Sequence, residues 1–369
     1  MIYLDNGATS FHKPRQVYRA VEAAMKSCAN PGRGGYAAAL LAAGKVYDCR
    51  ETAAKFFGCQ PEQVVFTSSC THGLNIAIRS LIKPGDKVVV SGFEHNAVTR
   101  VLHALGAEVL VAGRNLFDWE DTIACFQREL QKKPKAAVFT HVSNVFGYVL
   151  PVKRLAQLCR KYQVPFIVDA AQSAGVLPVH LEELGAAFIA MPGHKGLLGP
   201  QGTGILLCGA PVEPLLQGGT GSESVRQQMP EYLPDRLEAG TLNVPGIAGL
   251  HAGLQHLTRL GLQTVFDREH TQLERCAAGL RAMGMKVFSG PYQAGTVSFL
   301  PGMDCEEAAA VLGGQGIAVR AGLHCAPLAH ESAGTLETGT VRVSFGLDAN
   351  PAQTDAFLRA VSKLPPRKP

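Results

Sequence analysis

Seven short apolar runs, separated by helix-length segments, constrain the fold of this chain more than any other feature. The runs are QVVFTSS, DKVVVSG, EVLVAG, AAVFTHVS, PFIVDAA, AAFIAMPG and TGILLCG. Runs this apolar are typical of strands buried on both faces, as in a mostly parallel sheet covered by its crossover helices. The segment LPVKRLAQLCRKYQ is typical of such a helix. The sequence therefore predicts an α/β fold in which a mostly parallel sheet is the middle of three layers.

A change in pattern after the seventh run indicates a second domain. The segment GGTGSESVRQQMPEYLPDRLEAGTLNVPG is rich in glycine and proline, and a long helical pattern and the runs GTVSFL, GIAVRAG and TVRVSFG follow it. We expect a large domain at residues 16–245 and a smaller α+β domain made of residues 1–15 and 246–369. A chain of 369 residues is long enough for two domains.

Composition argues against several classes of function. The net charge is only +5 and the basic residues are scattered, so nucleic-acid binding is not indicated. No apolar run reaches the ~18 residues that a membrane span needs, and MIYLDNGATS lacks the pattern of a secretory signal. The ten cysteines occur singly, without a CxxC pair, which suits reduced thiols better than disulfides or structural zinc. We therefore expect a cytoplasmic protein with no membrane or nucleic-acid partner.

Three segments at the carboxyl ends of predicted strands, where ligands bind in open α/β sheets, carry reactive or charged groups. Asp169 follows four apolar residues, so its carboxylate needs a cation, a helix N-terminus or a protonated pyridine nitrogen as partner. Lys195 is either a surface lysine or a desolvated amine able to form a Schiff base. The hydroxyl and N–H groups of TSSCTHGLNIAI either cap a helix or bind phosphate. Each segment alone is a weak signal, but their combination in this order is specific.

The glycines after Lys195 do not form a nucleotide-binding motif. Gly199, Gly202 and Gly204 give G-x-x-G-x-G, the wrong order for a dinucleotide fingerprint, and the next segment reads as a strand rather than a helix. Lys195 also lacks the preceding G-x-x-x-x-G of a P-loop.

A set of motifs along nearly the whole chain carries a family resemblance. In order, they are YLDNGATS, EHNA, SNVFG, VDAAQSAG, GHKGLLGPQGTG, RLEAGT and RAGLHCA. With them the chain resembles the class V aminotransferase group of pyridoxal-phosphate enzymes, and within it the cysteine desulfurases, especially the branch that includes selenocysteine lyase. The resemblance implies fold type I, pyridoxal 5'-phosphate as cofactor and a homodimer.

The same resemblance implies a role for each matching residue. Lys195 would bind the cofactor as a Schiff base and move the proton at the substrate α-carbon. Asp169 would keep the pyridine nitrogen protonated, and Arg342 would bind the substrate carboxylate with its planar fork of donors. The other implied contacts are His95 stacked on the ring, Gln172 and Asn144 around the ring hydroxyl and the substrate, Cys70, Thr71 and His194 at the phosphate, and Thr241 reaching the phosphate of a second subunit.

Two positions depart from the desulfurases. Pro192 stands where a serine often helps to bind the phosphate, and Cys70 replaces a common threonine. The phosphate would lose hydroxyl donors at both positions. We therefore expect weaker binding of the phosphate, or compensation by backbone N–H groups.

Cys325, in RAGLHCAPLAH, is the residue on which the function within the family depends. A free cysteine usually packs as a small apolar group, whereas by the resemblance Cys325 takes the sulfur of L-cysteine as a persulfide while L-alanine leaves. A protein would then accept the persulfide. The attack needs a thiolate, so nearby cations and His95 or His324 would have to favour it. A metal site of His324, Cys325, His330 and Glu331 lacks a standard ligand spacing, and no metal is expected.

The sequence leaves other functions open on the same fold. These are a selenocysteine lyase, an aminotransferase or epimerase that does not use Cys325, and a non-catalytic sulfur-relay or scaffold protein. Intact Lys195, Asp169 and Arg342 favour an enzyme. The main expectation is a pyridoxal-phosphate-dependent conversion of L-cysteine to L-alanine with persulfide formation on Cys325.

Overall fold

The structure, a computed structural model, describes residues 1–32 and 34–364. The strands are β1 Ile2–Tyr3, β2 Val64–Thr67, β3 Lys87–Ser91, β4 Glu108–Ala112, β5 Ala136–Thr140, β6 Phe166–Asp169, β7 Phe188–Pro192, β8 Gly204–Cys208, β9 Lys286–Phe288, β10 Thr296–Leu300, β11 Ile317–Ala318, β12 Arg320–Gly322 and β13 Thr340–Ser344. The helices are α1 Arg15–Ser27, α2 Ala37–Phe57, α3 Cys70–Leu81, α4 Asn96–Leu105, α5 Trp119–Leu130, α6 Val152–Tyr162, α7 Leu181–Leu184, α8 Val244–Leu260, α9 Leu262–Ala282, α10 Cys305–Gly314, α11 Pro327–Ala333 and α12 Pro351–Val361.

All seven predicted runs form strands of one sheet. Its order is β2-β8-β7-β6-β5-β3-β4. Strand β8 pairs antiparallel with β2 and β7, and the other neighbours are parallel. The prediction of a mostly parallel central sheet is confirmed.

Side chains of the apolar runs are buried on both faces of the sheet, which explains why apolar and polar residues do not alternate within a run. Val89 and Val168 pack in one core cluster with residues of α2, α5, α6 and α8. Val88 and Ile167 pack in a second cluster with residues of α3 and α4. Helices therefore cover both faces, and the carboxyl ends of the parallel strands open at one edge of the three layers.

The C-terminal part contains a four-stranded antiparallel sheet in the order β12-β13-β10-β9. Residues of α9, α10 and α12 pack in a third core cluster with β10 and β13. The run GIAVRAG, expected as one strand, is divided between two sheets, because β11 pairs with β1 while β12 pairs with β13. The domain boundary at 245/246 remains a prediction. Leu250 and Leu254 of α8, which follow that boundary, pack in the core cluster under the seven-stranded sheet.

Residues 2–10, here called the N-terminal segment, run from the C-terminal sheet to the turn after β7. Leu4 donates its N–H to Ala318 O at 2.9 Å and accepts the N–H of Ser344 at 2.8 Å. At the other end, Ser10 donates its N–H to His194 O at 3.0 Å. The segment thus links the two sheets.

Among the described residues, no helix combines the length and the apolar character needed to cross a bilayer.

Candidate active site

A cavity of about 110 Å³ lies at the carboxyl ends of β5, β6 and β7 and at the start of α3. Eight residues predicted from the sequence line it: Cys70, Thr71, His95, Asn144, Asp169, Gln172, His194 and Lys195. Thr241, Cys325 and Arg342 are not part of this lining. The topology therefore brings together most of the predicted cofactor contacts, which are spread from residue 70 to residue 195.

Asp169 ends β6 and is only 2% exposed. Its Oδ1 accepts the N–H of Ala171 at 2.9 Å and the thiol of Cys70 at 3.5 Å. Burial, and then the charge of Asp169, raise the pKa of Cys70 well above its ordinary value. Cys70 is therefore a protonated donor to the carboxylate, and its backbone N–H, rather than its sulfur, is what it offers to a phosphate.

The start of α3 provides donors for an anion. Ser69 caps the helix by accepting the N–H of His72 at 3.1 Å. The first N–H groups of a helix have no partner within the helix, and here these belong to Cys70 and Thr71, both in the cavity lining. Pro192 provides neither a hydroxyl nor an N–H group. The donors at the helix start and the Thr71 hydroxyl fit a phosphate group.

Lys195 lies in the turn after β7. Burial lowers its pKa, and the charge of Arg342 lowers it further. A lowered pKa favours the neutral amine, which is the form that makes a Schiff base. The preceding residue, His194, holds its Nδ1 2.9 Å from the Thr9 hydroxyl, and burial lowers its pKa to about 4. His194 is therefore neutral near pH 7.

His95 is both the N-cap of α4 and part of the cavity wall. Its Nδ1 accepts the N–H of Ala97 at 3.0 Å. Burial lowers the pKa of the ring, so the neutral tautomer carries its proton on Nε2. The cap fixes the ring position without any bound ligand.

Arg342, on β13, is 2% exposed. Its Nη2 donates to Asp5 Oδ1 at 2.5 Å, and its Nη1 donates to the backbone oxygen of Asn144 at 3.0 Å. Its Nε has no partner among residues 1–32 and 34–364. The predicted substrate residues Arg342 and Asn144 are therefore in contact, although 198 positions separate them. Asp5 was not identified from the sequence.

Gln172 and Asn144 each use one side-chain amide to hold a neighbouring segment. Gln172 Nε2 donates to Gly7 O at 2.9 Å, and Asn144 Nδ2 donates to His324 O at 2.8 Å. Their side-chain oxygens are not used in these two bonds. Both residues thus attach a separate segment of the chain to the cavity wall.

Cys325 is exposed and lies in a loop with unusual backbone geometry. His324 and Cys325 have φ of 50° and 57°, a region that residues other than glycine seldom adopt. The loop is held at two points: Asn144 binds the oxygen of His324, and the N–H of Asn96 binds the oxygen of Cys325 at 2.8 Å. The second contact joins the Cys325 loop to the start of α4, next to His95.

Burial favours the neutral form of the two histidines considered for Cys325, His95 and His324. His324 is buried, its Nε2 lies 3.2 Å from Thr340 O, and burial lowers its pKa to about 2. The pKa of His95 is lowered as well. Burial thus favours the neutral form of both rings, and their role at Cys325 remains a prediction.

The residues weighed as metal ligands are engaged elsewhere. Glu331 pairs with Arg114 at 3.5 Å, and His330 Nδ1 lies 2.8 Å from the Thr335 hydroxyl. In the part of the chain that the structure describes, no group of three His, Cys, Asp or Glu side chains is arranged to hold a metal ion.

Thr241 is exposed and is not among the residues that line the Lys195 cavity of its own chain. It lines a depression of about 900 Å³ together with Tyr47 and Arg50. The segment before it is fixed by a buried ion pair, in which Arg50 Nη2 lies 2.8 Å from Glu238 Oε2.

Comparison with known proteins identifies the family. Residues 2–357 match the family model of the class V aminotransferases, and the chain belongs to this family. Membership implies a pyridoxal-phosphate enzyme, and the anion site at α3, the buried Asp169 and the low-pKa Lys195 fit that cofactor.

Within the family, the relatives are named more specifically. A probable cysteine desulfurase of Methanothermobacter thermautotrophicus is 34% identical over 93% of this chain and 90% of its own length. One of Pyrococcus abyssi is 31% identical over 99% of this chain and 94% of its own. The apo structure of a cysteine desulfurase from Thermococcus onnurineus has 31% identity and a TM-score of 0.89, covering 98% of this chain and 94% of that one. The fold-type I architecture is thereby confirmed.

Proposed function

We propose that the protein is a pyridoxal-phosphate-dependent cysteine desulfurase that converts L-cysteine to L-alanine and takes the sulfur as a persulfide on Cys325. The observation that carries the proposal is the attachment of the Cys325 loop to the wall of the Lys195 cavity. Asn96 binds Cys325 O, and Asn144, a cavity residue, binds His324 O. An aminotransferase or epimerase has no need of an exposed thiol held at this place.

The cavity residues would hold the cofactor in a defined orientation. The N–H groups of Cys70 and Thr71 would bind its phosphate, and Asp169 its ring nitrogen. Pyridoxal phosphate, when bound, supplies an aldehyde that joins to amines and a ring that withdraws electrons from the bonds at the substrate α- and β-carbons. Lys195 would hold that aldehyde in the resting enzyme. Once the substrate amine takes the place of the Lys195 amine, Lys195 would be free to take and return the proton at the substrate α-carbon.

The substrate residues orient the sulfur toward Cys325. Arg342 would bind the carboxylate with its remaining N–H donors, and the Asn144 side-chain oxygen would accept from the substrate. The Cys325 thiolate then attacks the substrate sulfur, so that an S–S bond forms and the C–S bond breaks. The electron pair of that bond stays with the carbon fragment, which gains a proton and leaves as L-alanine.

The reaction is tested by incubating the purified holoenzyme with L-cysteine and dithiothreitol. We expect equal amounts of L-alanine and sulfide, and on the protein without reductant a mass increase of one sulfur atom at Cys325. Lys195→Ala should lose the absorption of the covalently held cofactor and all turnover. Formation of a 2-oxo acid instead of L-alanine would favour a transaminase and contradict the proposal.

The exposure of Thr241 supports a homodimer in which it completes the phosphate site of the partner. Large apolar side chains of α2 are exposed, among them Leu40 and also Tyr47, which lines the same depression as Thr241. A shared site requires two-fold symmetry, so that each subunit repeats the contact. Light scattering should give a dimer, and a monomer at micromolar concentration with cofactor fully bound would contradict this assembly.

The exposure of Cys325 also supports transfer of the sulfur to the thiol of a second protein. A persulfide at an exposed loop can be attacked by a thiolate from outside, which takes the outer sulfur and restores the Cys325 thiolate. All ten cysteines of the chain are free, as expected of a protein that works in the reducing cytoplasm.

A further inference from the structure

The carboxylate of Asp5 is bound to the guanidinium of Arg342. The Nη2–Oδ1 distance is 2.5 Å, and the side chains of Arg342 and Asp5 are 2% and 20% exposed. A guanidinium buried to this degree needs its donors fixed by acceptors, because rotation would leave them unpaired. Asp5 is one of two acceptors that Arg342 has in the structure, the other being Asn144 O.

The backbone fixes Asp5 in turn. Its neighbour Leu4 bonds to Ala318 and Ser344, Asp5 itself lies opposite Ser344 in a parallel bridge, and the N–H of Gly7 donates to the Ser344 hydroxyl at 2.7 Å. Ser344 is two residues from Arg342 on β13. The acceptor is therefore held on a backbone segment that is bonded directly to β13, which carries the guanidinium.

The N-terminal segment also limits where the guanidinium can move. A Cβ added to Gly7 would lie 3.2 Å from the central carbon of the Arg342 guanidinium. Gly7 thus permits close contact on one side while Asp5 binds one end of the group. Arg342 Nε has no partner among the described residues, and a second hydrogen on each Nη is not used in the bonds to Asp5 and Asn144, so these donors remain for a carboxylate.

We propose that Asp5 is a positioning residue: it holds the guanidinium of Arg342 in the orientation that binds the substrate carboxylate. Asp5 has this role only if Arg342 binds that carboxylate, as proposed above. What matters is the hydrogen bond from Arg342 Nη2 to an acceptor oxygen of residue 5. The oxygen of a neutral amide can accept the same bond. The negative charge of Asp5 is not required.

The test measures binding of L-alanine, the expected product, to the holoenzyme by calorimetry. Asp5→Ala should raise the dissociation constant by about tenfold or more, as expected when a hydrogen bond to a charged group is lost. Asp5→Asn keeps an acceptor oxygen and should stay within about threefold of wild type. Asp348→Ala, which removes an exposed carboxylate that faces His12 on the same side, is the matched control and should bind normally.

A second ligand separates positioning from general damage. Cysteamine has the amine and thiol of L-cysteine but no carboxylate, so its affinity should be unchanged in Asp5→Ala. If both ligands weaken equally, or if Asp5→Asn is as weak as Asp5→Ala, the proposal is overturned. Gly7→Ala, which removes no hydrogen-bonding group, should also weaken L-alanine alone by displacing the guanidinium, and normal binding by this variant would count against the proposal.

Binding of L-alanine requires no desulfuration, so the two proposals can fail separately. A wild type that binds L-alanine but releases no sulfide would contradict the proposed reaction and leave Asp5 in its role. Unchanged L-alanine affinity in Arg342→Ala would remove the role of Asp5, whatever the reaction.

Discussion

Two cysteines of this chain lie close to the same cavity, and their surroundings give them opposite exposure. Cys70 is buried at the start of α3, donates to Asp169 and has a raised pKa. Cys325 is exposed, in a loop whose oxygens are bound by Asn96 and Asn144. The first environment keeps the proton on sulfur, whereas the second leaves the sulfur accessible. Residue type alone thus does not distinguish the two thiols, whereas their positions in the fold do.

The same substitution at both positions gives the largest expected difference. Cys325→Ser should lower sulfide production by about 1,000-fold or more, because a hydroxyl cannot replace the attacking thiolate. Cofactor absorption and the melting temperature should stay near wild type, since the sulfur is exposed. Sulfide release is measured with L-cysteine and dithiothreitol. Activity near wild type would show that Cys325 is not the nucleophile.

Alkylation of the native protein tests accessibility and protonation directly. With iodoacetamide at pH 8, Cys325 should react at least about 100-fold faster than Cys70, which is buried and protonated. Peptide mass spectrometry at several times gives both rates, and the unfolded protein, in which both should react, is the control. Equal alkylation rates in the folded protein would contradict the difference in exposure and protonation between Cys325 and Cys70.

The free energy of unfolding should fall in acid, because burial keeps two histidines near Cys325 neutral in the folded protein. Burial lowers the pKa of His324 to about 2 and that of His330 to about 4, from an ordinary value of 6.5. Below pH 6.5 the unfolded chain therefore binds more protons than the folded one, and stability falls as pH decreases toward these values. Each such histidine changes the folding equilibrium by about tenfold per pH unit in that range.

This pH dependence is measured by urea unfolding between pH 7 and pH 5. His330→Asn keeps a polar group for Thr335 but does not titrate, so it should reduce the slope of unfolding free energy against pH. An unchanged slope in His330→Asn would show that this ring is not kept neutral by the fold.

The smallest effect is expected at Cys70. Cys70→Ser retains a donor to Asp169, so sulfide production should change by less than about threefold, with a loss of stability of roughly 1 kcal/mol from the smaller side chain. Turnover and thermal melting measure the two effects. A loss of activity as large as that of Cys325→Ser would mean that the sulfur of Cys70 itself takes part in the reaction.

The sequence predicted the elements whose signal is local. Runs such as PFIVDAA are apolar on both faces because helices cover both sides of the sheet, so the strands could be identified without the structure. The gathering of eight residues in one cavity could be predicted as well, because family motifs at strand ends meet at one edge of a parallel sheet.

Features that depend on distant partners could not be predicted. The split of GIAVRAG arises from the pairing of β11 with β1, more than 300 residues away in the chain. The neutral state of His324 depends on burial against Thr340 and Arg342, and the direction of the Cys70 thiol depends on Asp169. Asp5 gave no signal of its own, since a single acidic residue in YLDNGATS does not reveal that it binds Arg342.

The N-terminal segment has a consequence for the order in which the active site is completed during synthesis. Leu4 bonds to Ser344, 340 residues later in the chain, and Ile2 and Tyr3 pair with residues 317 and 318. On the ribosome, the residues that bind Arg342 are therefore made long before Arg342 itself, and β1 has no strand to pair with until β11 has emerged. The seven-stranded sheet, which ends at residue 208, can form earlier. A nascent chain can thus build most of the Lys195 cavity before Arg342 has been made.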